Sequence, residues 1–292
     1  MGNRAGAGGA SVAAARECHP MNQQIREPRR RRAPRQPTRL WRVPVRTVAR
    51  VTPRLARVTV GGEQLADFTS QGTDSHVKLY FYDEGVRLPD SLTLERARSL
   101  FSRMRPRMRS YTIRRHDRLA HEIDIDFVLH DGHDGPATRW ARQAAAGDEL
   151  IMVGPSPAYA PDPATEAHLL VGDETALPAI AAILAELPAE VRVFGYVEVA
   201  DAAERQPLPT EADAEIHWLY RDGVPAGRSG LLADAVRAAT LPAGTVDAWV
   251  AGEHSTVRDV RGYLLDELRM DRRRVRTTSY WRHGETGDGG AG

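Results

Sequence analysis

Between Trp41 and Pro155, apolar and polar residues alternate in short runs. "WRVPVRTVARVTPRLARVTVGG" alternates up to a glycine pair, and "HVKLYFYDEG", "SYTIRRHD" and "EIDIDFVLH" follow the same two-residue period. Runs of this length, spaced by turn residues, predict an antiparallel barrel or sandwich. One helix interrupts them, "DGPATRWARQAAAGD", with Asp134 or Gly135 as its cap, Pro136 at the first helical position and Gly147 as its stop. After the proline-rich link "GPSPAYAPDPATE" the pattern changes. "HLLVGD", "VRVFGYVEV", "IHWLY", "VDAWVAG" and "RVRTTSYW" read as apolar strands, and "ETALPAIAAILAEL", "LLADAVRAA" and "STVRDVRGYLLDEL" read as helices between them. Near-continuous apolar strands alternating with helices predict a doubly wound parallel sheet covered on both faces.

Charge sharpens this picture. The chain has 292 residues and a net charge of +1, but residues 1 to 40 hold nine arginines against Glu17 and Glu27, so the body is acidic. Within that body, residues 96 to 118 carry nine arginines and a single acid, Asp117. A strong local positive field in an acidic protein suits an anionic ligand better than a general nucleic-acid surface. Lys78 is the only lysine, so arginine-richness is partly a compositional habit. Residues 1–38 lack apolar periodicity and are expected to be a disordered tail; an arm for nucleic acid or acidic partners is the alternative. No apolar run approaches the roughly 18 residues that span a bilayer, and no secretory core is evident. The cytoplasm is therefore the expected compartment, with no membrane partner. The sole cysteine, Cys18, excludes an internal disulfide framework and any cysteine-only metal site.

Two stretches carry candidate chemistry. "RSYTIRR" is strand-like yet has a cation at each end; its period puts Arg109, Tyr111 and Ile113 on one face and Ser110, Thr112 and Arg114 on the other. Such a strand offers cations for phosphate and an aromatic plane, or is simply a barrel strand with a core tyrosine and solvated arginines. The helix at Pro136 begins with backbone N–H groups that lack intrahelical partners and carry the positive end of the dipole, so its start is an anion seat. Thr138 adds a hydroxyl, and His130 and His133 stand at the entry; Asp134 as an ordinary cap is the simpler reading. In the second half, the turn Gly172, Asp173, Glu174 and Thr175 ends the first strand, where ligands bind in doubly wound domains, although it lacks the usual glycine-rich fingerprint. Asp173 as a plain helix cap is the competing reading.

Together "RSYTIR", "DIDFVLHDGHDGPATRWARQAAAGDELIMVGP", "VGDETALPAI", "WVAGEHSTVRDVRGYLLDEL" and "SYWRHG" resemble the siderophore-interacting protein family, flavin-dependent ferric-siderophore reductases related to ferredoxin reductases. The resemblance runs from Trp41 to Gly284. It implies a ferredoxin-reductase-like fold: an all-β antiparallel Greek-key barrel that binds FAD over 39–155, a linker over 156–165 and an α/β doubly wound parallel-sheet domain that binds NAD(P)H over 166–284, before a short tail over 285–292. On this resemblance Arg109 takes the flavin phosphate, Tyr111 lies along the ribityl and isoalloxazine, and Thr112 sits near flavin N5, making Tyr111 and Thr112 the catalytic candidates. Ser110 lies inside the motif and Arg114 closes it. Gly135, Pro136, Ala137 and Thr138 cradle the pyrophosphate, with threonine in place of the usual serine. His130 stands by the cofactor, and Tyr280, Trp281 and Arg282 return to the flavin. Gly172, Asp173, Glu174 and Thr175 meet the nicotinamide cofactor. NADPH is favoured over NADH through Arg221 and Arg228, with Glu198 opposing.

The implied reaction sends a hydride to FAD and single electrons onward to a ferric siderophore, so iron is substrate-bound and no protein metal site is needed. Lys78, Arg105, Arg107 and Arg282, with Arg103, are the residues expected to draw in an anionic chelate. The working unit is expected to be a monomer without nucleic acid.

Overall fold

The computed structural model describes residues 36–70, 72–130, 135–156, 159–162, 165–242 and 244–285. Strands β1 (Arg39–Thr52), β2 (Leu55–Gly61), β3 (His76–Phe81), β4 (Arg107–Asp117), β5 (Glu122–Val128) and β6 (Glu149–Ser156) close into an antiparallel barrel in the order β1-β2-β5-β4-β3-β6. The two-residue period decides what fills it. Val58, Val60, Val77, Leu79, Ile123, Ile125 and Phe127 all point inward and are fully buried at 0% exposure. Each such side chain contributes roughly 1.5–3 kcal/mol by leaving water, which favours closure of the barrel over an open sandwich with free edges.

Between β3 and β4 the chain makes an excursion that includes α1 (Leu94–Ser99), a helix the sequence pattern does not announce. Thr93 caps it by accepting the Arg96 N–H. The excursion lies on the outer wall of the barrel over a separate apolar cluster of Tyr80, Leu92, Ala97, Ile151 and Val153. Helix α2 (Pro136–Gln143) follows β5 and lends Ala137 and Ala141 to the barrel core. Proline occupies its first turn as expected, but the helix ends at Gln143, well before Gly147. Asp148 breaks it by accepting the Ala145 N–H, and Gly147 serves the turn behind at φ +94°.

The outward positions of β5 are not solvated. Asp124 and Asp126 are each only 5% exposed, because arginines lie across them. Arg57 bonds Asp126 in a fork at 2.6 and 2.8 Å, Arg115 donates to Asp124 at 2.7 Å, and Thr59 donates to the same carboxylate at 2.7 Å. A bulge between Ile113 and Arg115 turns Arg114 and Arg115 toward this ladder. Burial and the neighbouring Arg57 hold the Arg114 guanidinium below its ordinary pKa, and its Nε is buried without a partner.

The second half forms a parallel sheet of β7 (Ala167–Asp173), β8 (Arg192–Val199), β9 (Asp213–Tyr220), β10 (Val246–Glu253) and β11 (Val275–Trp281), in the order β11-β10-β7-β8-β9. Helix α3 (Leu177–Glu186) covers one face, while α4 (Leu231–Ala238) and α5 (His254–Gly262) cover the other. The doubly wound expectation is met. The tails expected over 1–38 and 285–292 lie outside the described residues, apart from 36–38 and Glu285. Gln36, assigned to the first of these, is bonded to Asp67 at 2.6 Å and to Thr69 at 2.8 Å.

Barrel and sheet meet through polar contacts as well as packing. Glu204, in a single 3-10 turn after β8, is 7% exposed and accepts the Thr52 hydroxyl together with the Arg54 N–H at 3.0 Å. This carboxylate of one domain thereby satisfies the hairpin between β1 and β2 of the other. Glu204→Ala is expected to strand those donors and lower stability by about 1–3 kcal/mol, measured as a fall in the urea midpoint.

Candidate active site

β4 is shared between several neighbours, and that sharing builds the site. On its inner face Tyr111 packs on Phe127 with ring centroids 4.5 Å apart, and Phe127 packs on Trp140 of α2 at 5.5 Å. Arg109, two residues upstream on the same face, pairs in register with Leu79. An aromatic chain thus runs from the Arg109–Tyr111 face of β4 to the helix that begins at Pro136. Arg109 itself donates from Nη1 to the Met108 carbonyl at 2.9 Å. Burial pushes the Tyr111 phenol well above its ordinary range, so it stays protonated and is not an acid here.

The start of α2 has the features of a phosphate seat. Gly135 is its N-cap residue and makes no side-chain capping bond, and a Cβ built at Gly135 meets nothing within 4 Å. Asp134 and His133 lie outside the described residues. Thr138 departs from expectation: it is 5% exposed and its hydroxyl turns back toward the Val128 carbonyl at 3.4 Å, which leaves its backbone N–H as its group at the helix start. His130 is exposed, and its carbonyl accepts the Arg142 guanidinium at 2.8 Å.

On the outer face of β4, Thr112 is buried at 8% exposure and reaches Tyr280 from the last strand of the sheet. The Tyr280 phenol donates to Asp74 at 2.6 Å, and burial beside that acid raises its pKa well above ordinary. Burial raises Asp74 too, against the pull of the Tyr280 bond. Asp74 was not singled out in the sequence; only its nearness to the strand that pairs with β4 marks it. Ser110 is exposed and lies opposite Lys78, also exposed, across the β3–β4 pair.

Asp173 is 4% exposed and bonded to Thr175, Trp281 and Glu253, so it neither faces a ligand nor caps α3, whose N-cap residue is Ala176. Gly172 is forced by close packing, since a Cβ there stands 2.5 Å from the Ala176 Cβ. Thr175 gives its hydroxyl proton to Asp173, so toward a ligand its oxygen only accepts, which suits an amide N–H and disfavours a phosphate. Arg221, weighed as the receiver of a 2′-phosphate, is 7% exposed and held by Glu174 in a fork at 2.7 and 2.7 Å. Its second carboxylate is Glu198, at 3.4 Å, which also accepts the Ser229 hydroxyl at 2.7 Å. Arg221, Glu174 and Glu198 therefore form one buried ion-pair group and are not separate contacts for a coenzyme. Arg228 is exposed.

A cavity of ≈ 490 Å³ opens between the domains, bordered by Arg54 and His130 from the barrel and by Glu174, Leu177, Glu204 and Arg221 from the sheet. It lies at the carboxyl ends of β7, β8 and β9, where doubly wound sheets receive ligands. Of the remaining candidate cations, Arg105 is exposed, Arg107 pairs with Asp83 at 3.2 Å and Arg282 pairs with Glu285 at 2.8 Å.

A cation, a phenol wall, a helix start with room at its glycine and a hydroxyl at a domain junction suit a diphosphate-bearing flavin. The architecture is that of the ferredoxin-reductase-like flavoproteins. Family comparison agrees: the siderophore-interacting FAD-binding domain matches residues 44–159, and the siderophore-interacting protein domain matches residues 165–284. An uncharacterised protein of Mycobacterium tuberculosis is 39% identical over 249 residues, 81% of this chain and 88% of the relative. The ferric vibriobactin reductase of Vibrio cholerae is 32% identical over 80% of this chain and 86% of its own length. The NADPH-dependent ferric-chelate reductase of Escherichia coli is 32% identical over 89% and 99%. Among solved structures, a siderophore utilization protein from T. fusca superposes with a TM-score of 0.76 at 37% identity, covering 87% of this chain and 96% of that one. The chain belongs to the siderophore-interacting protein family.

The Arg221 group gives a direct test. Arg221→Ala leaves two buried carboxylates without their cation and is expected to cost about 3 kcal/mol; Arg221→Lys, which lacks the planar fork, recovers only part of it. Thermal unfolding of the two variants beside the parent checks both.

Proposed function

We propose that the protein is an NADPH-dependent, FAD-containing reductase of ferric siderophores that releases Fe(II) for assimilation. The observation that carries this reading is the junction at β4, where Tyr111 packs through Phe127 onto Trp140 of α2 while Thr112 meets Tyr280 of the sheet domain. A cofactor laid along β4 there touches both domains. FAD, when bound, supplies the conversion between a two-electron donor and one-electron delivery that iron requires.

The chain's own residues do the holding. The Arg109 guanidinium and the backbone N–H groups of Ala137 and Thr138 bind the diphosphate, one by charge and the others by the helix dipole. Tyr111 is the wall behind the ring system, and Ser110 and Thr112 line the strand beside it. Thr112 offers a hydroxyl at the reacting edge, and Tyr280 covers that edge from the sheet domain, excluding water. Gly172 and Thr175 form the turn that receives the nicotinamide end of NADPH, with Thr175 accepting from its amide.

A ferric siderophore arrives from the opposite side, toward the rim of Lys78, Arg105, Arg107 and Arg282. The exposed pairs that Arg107 and Arg282 make with Asp83 and Glu285 are weak and exchange readily for an anionic chelate. Among the described residues no helix is long and apolar enough to cross a membrane. We place the reaction in the cytoplasm, where the reduced donor is available, and assign the work to a monomer without nucleic acid.

Loaded with FAD, the protein is expected to bleach on addition of NADPH and, with a ferric siderophore and an Fe(II) trap, to form the coloured Fe(II) complex faster than with ferric citrate. Failure to bleach overturns the reading; equal rates on every chelate overturn the substrate class. Arg109→Ala is expected to weaken FAD binding by roughly tenfold to a hundredfold, read by flavin fluorescence titration.

A further inference from the structure

The polar group at the end of β7 is saturated from three directions. Asp173 Oδ1 accepts the Thr175 N–H at 2.9 Å and the Thr175 hydroxyl. Its Oδ2 accepts the Trp281 indole Nε1–H at 2.8 Å and the Glu253 N–H at 3.0 Å. These four donors come from the β7–α3 turn, the β10–α5 turn and the last residue of β11, so every favourable acceptor direction of one carboxylate is in use.

The backbone around it is built to allow the approach. Gly252, at φ +141°, would place a Cβ 2.6 Å from Asp173 Oδ2. Gly227, at φ +73°, would place one 3.1 Å from the Trp281 ring and 2.7 Å from Glu253 Cγ. Two glycines in the left-handed half of conformational space therefore make room for one tryptophan and its acceptor. Glu253 adds a second tie, accepting the His283 N–H at 3.2 Å just beyond Trp281.

We propose that Asp173 is the positioning residue of the C-terminal aromatic arm. By gathering Trp281 and Thr175 onto one carboxylate, it fixes the end of β11 against the turn that receives the nicotinamide. This deepens the reductase reading and rests on it: the arm that carries Tyr280 to Thr112 is the arm that Asp173 anchors one residue later. Misplacing that arm separates donor and acceptor, while the sheet and barrel cores remain intact.

The charge state of the anchor gives it a signature. Burial and the adjacent Glu174 push Asp173 up to about 6, against the pull of its donors. The other titratable and charged groups around it are Arg221 behind Glu174, Glu253 on the β10 turn, and Tyr280 beside Trp281. A proton added to Asp173 needs an oxygen direction already taken by a donor. Trp281, at the end of a strand, is the donor with freedom to leave, so the anchor is closed above that pH and open below it.

The experiment uses the full chain labelled with 15N in its five tryptophan indoles, with Trp281→Phe assigning the resonance. In the cofactor-free parent the Trp281 indole proton is expected to be shifted downfield and to move with pH around a midpoint near 6. In Asp173→Asn that pH response vanishes and indole exchange accelerates by roughly tenfold or more. With FAD and NADPH, both Asp173→Asn and Trp281→Phe are expected to lower the flavin reduction rate by roughly tenfold, with a smaller change in the Kd for NADP+. An unchanged indole resonance in Asp173→Asn overturns the proposal, as does a parent-like reduction rate in either variant. If Asp173→Asn does not fold, Trp281→Phe alone decides through the same rate and Kd. Failure of the parent to bleach with NADPH overturns the reductase reading, and leaves the indole measurement to decide the anchor.

Discussion

The structure turns on the crowded position of β4. One strand of eleven residues pairs with β3 and β5, supplies Ile113 to the barrel interior, packs the partly buried Tyr111 against that core, lies against α3 and presents Thr112 to the phenol of Tyr280. A strand with a neighbour on each side has little freedom to shift. The hydrogen bond from Tyr280 to Asp74 is the polar part of this junction, and it is not isolated: Thr112 also bonds Tyr280 and Trp249 also bonds Asp74. The domains are held in one arrangement by this contact and by Glu204, which grips the β1–β2 hairpin. A cofactor that spans the junction needs that fixed arrangement, because alignment over a few ångströms sets the rate of transfer.

Much of this was legible along the chain, since period and turn chemistry are local. Alternation placed Tyr111 and Thr112 on opposite faces of their strand, and the apolar runs of β7, β8 and β10 declared a covered parallel sheet. What escaped was non-local. Helix α1 is short and has weak periodicity, and it is stabilised by an outer-wall cluster that no window of sequence reveals. Thr138 read as a ligand hydroxyl because its partner is a strand carbonyl, and Asp173 read as a ligand or cap because Trp281 stands 108 residues away. Arg221 and Glu198 looked like opposed influences on a coenzyme until the fold put them in contact.

The arginines at the two ends of the Arg109–Arg115 stretch turn out to sit in different surroundings. Arg109 belongs to the face that carries Tyr111, in register with Leu79. Arg114 and Arg115 follow a bulge and lie over the carboxylates of β5, where Asp124 and Asp126 are nearly covered. One compositional feature thus splits in two, a cation on the Tyr111 face and a wall of ion pairs over β5. Only the pairing register separates them, because a bulge keeps two successive residues on the same side of the sheet.

The excursion through α1 has its own anchorage. Leu92 and Ala97 rest on Tyr80, Ile151 and Val153 outside the barrel, so this segment does not draw on the main core for support. Its arginines project from a patch that can change composition while the interior stays as it is. A segment with its own footing can have its exposed surface rewritten while the barrel beneath keeps its packing.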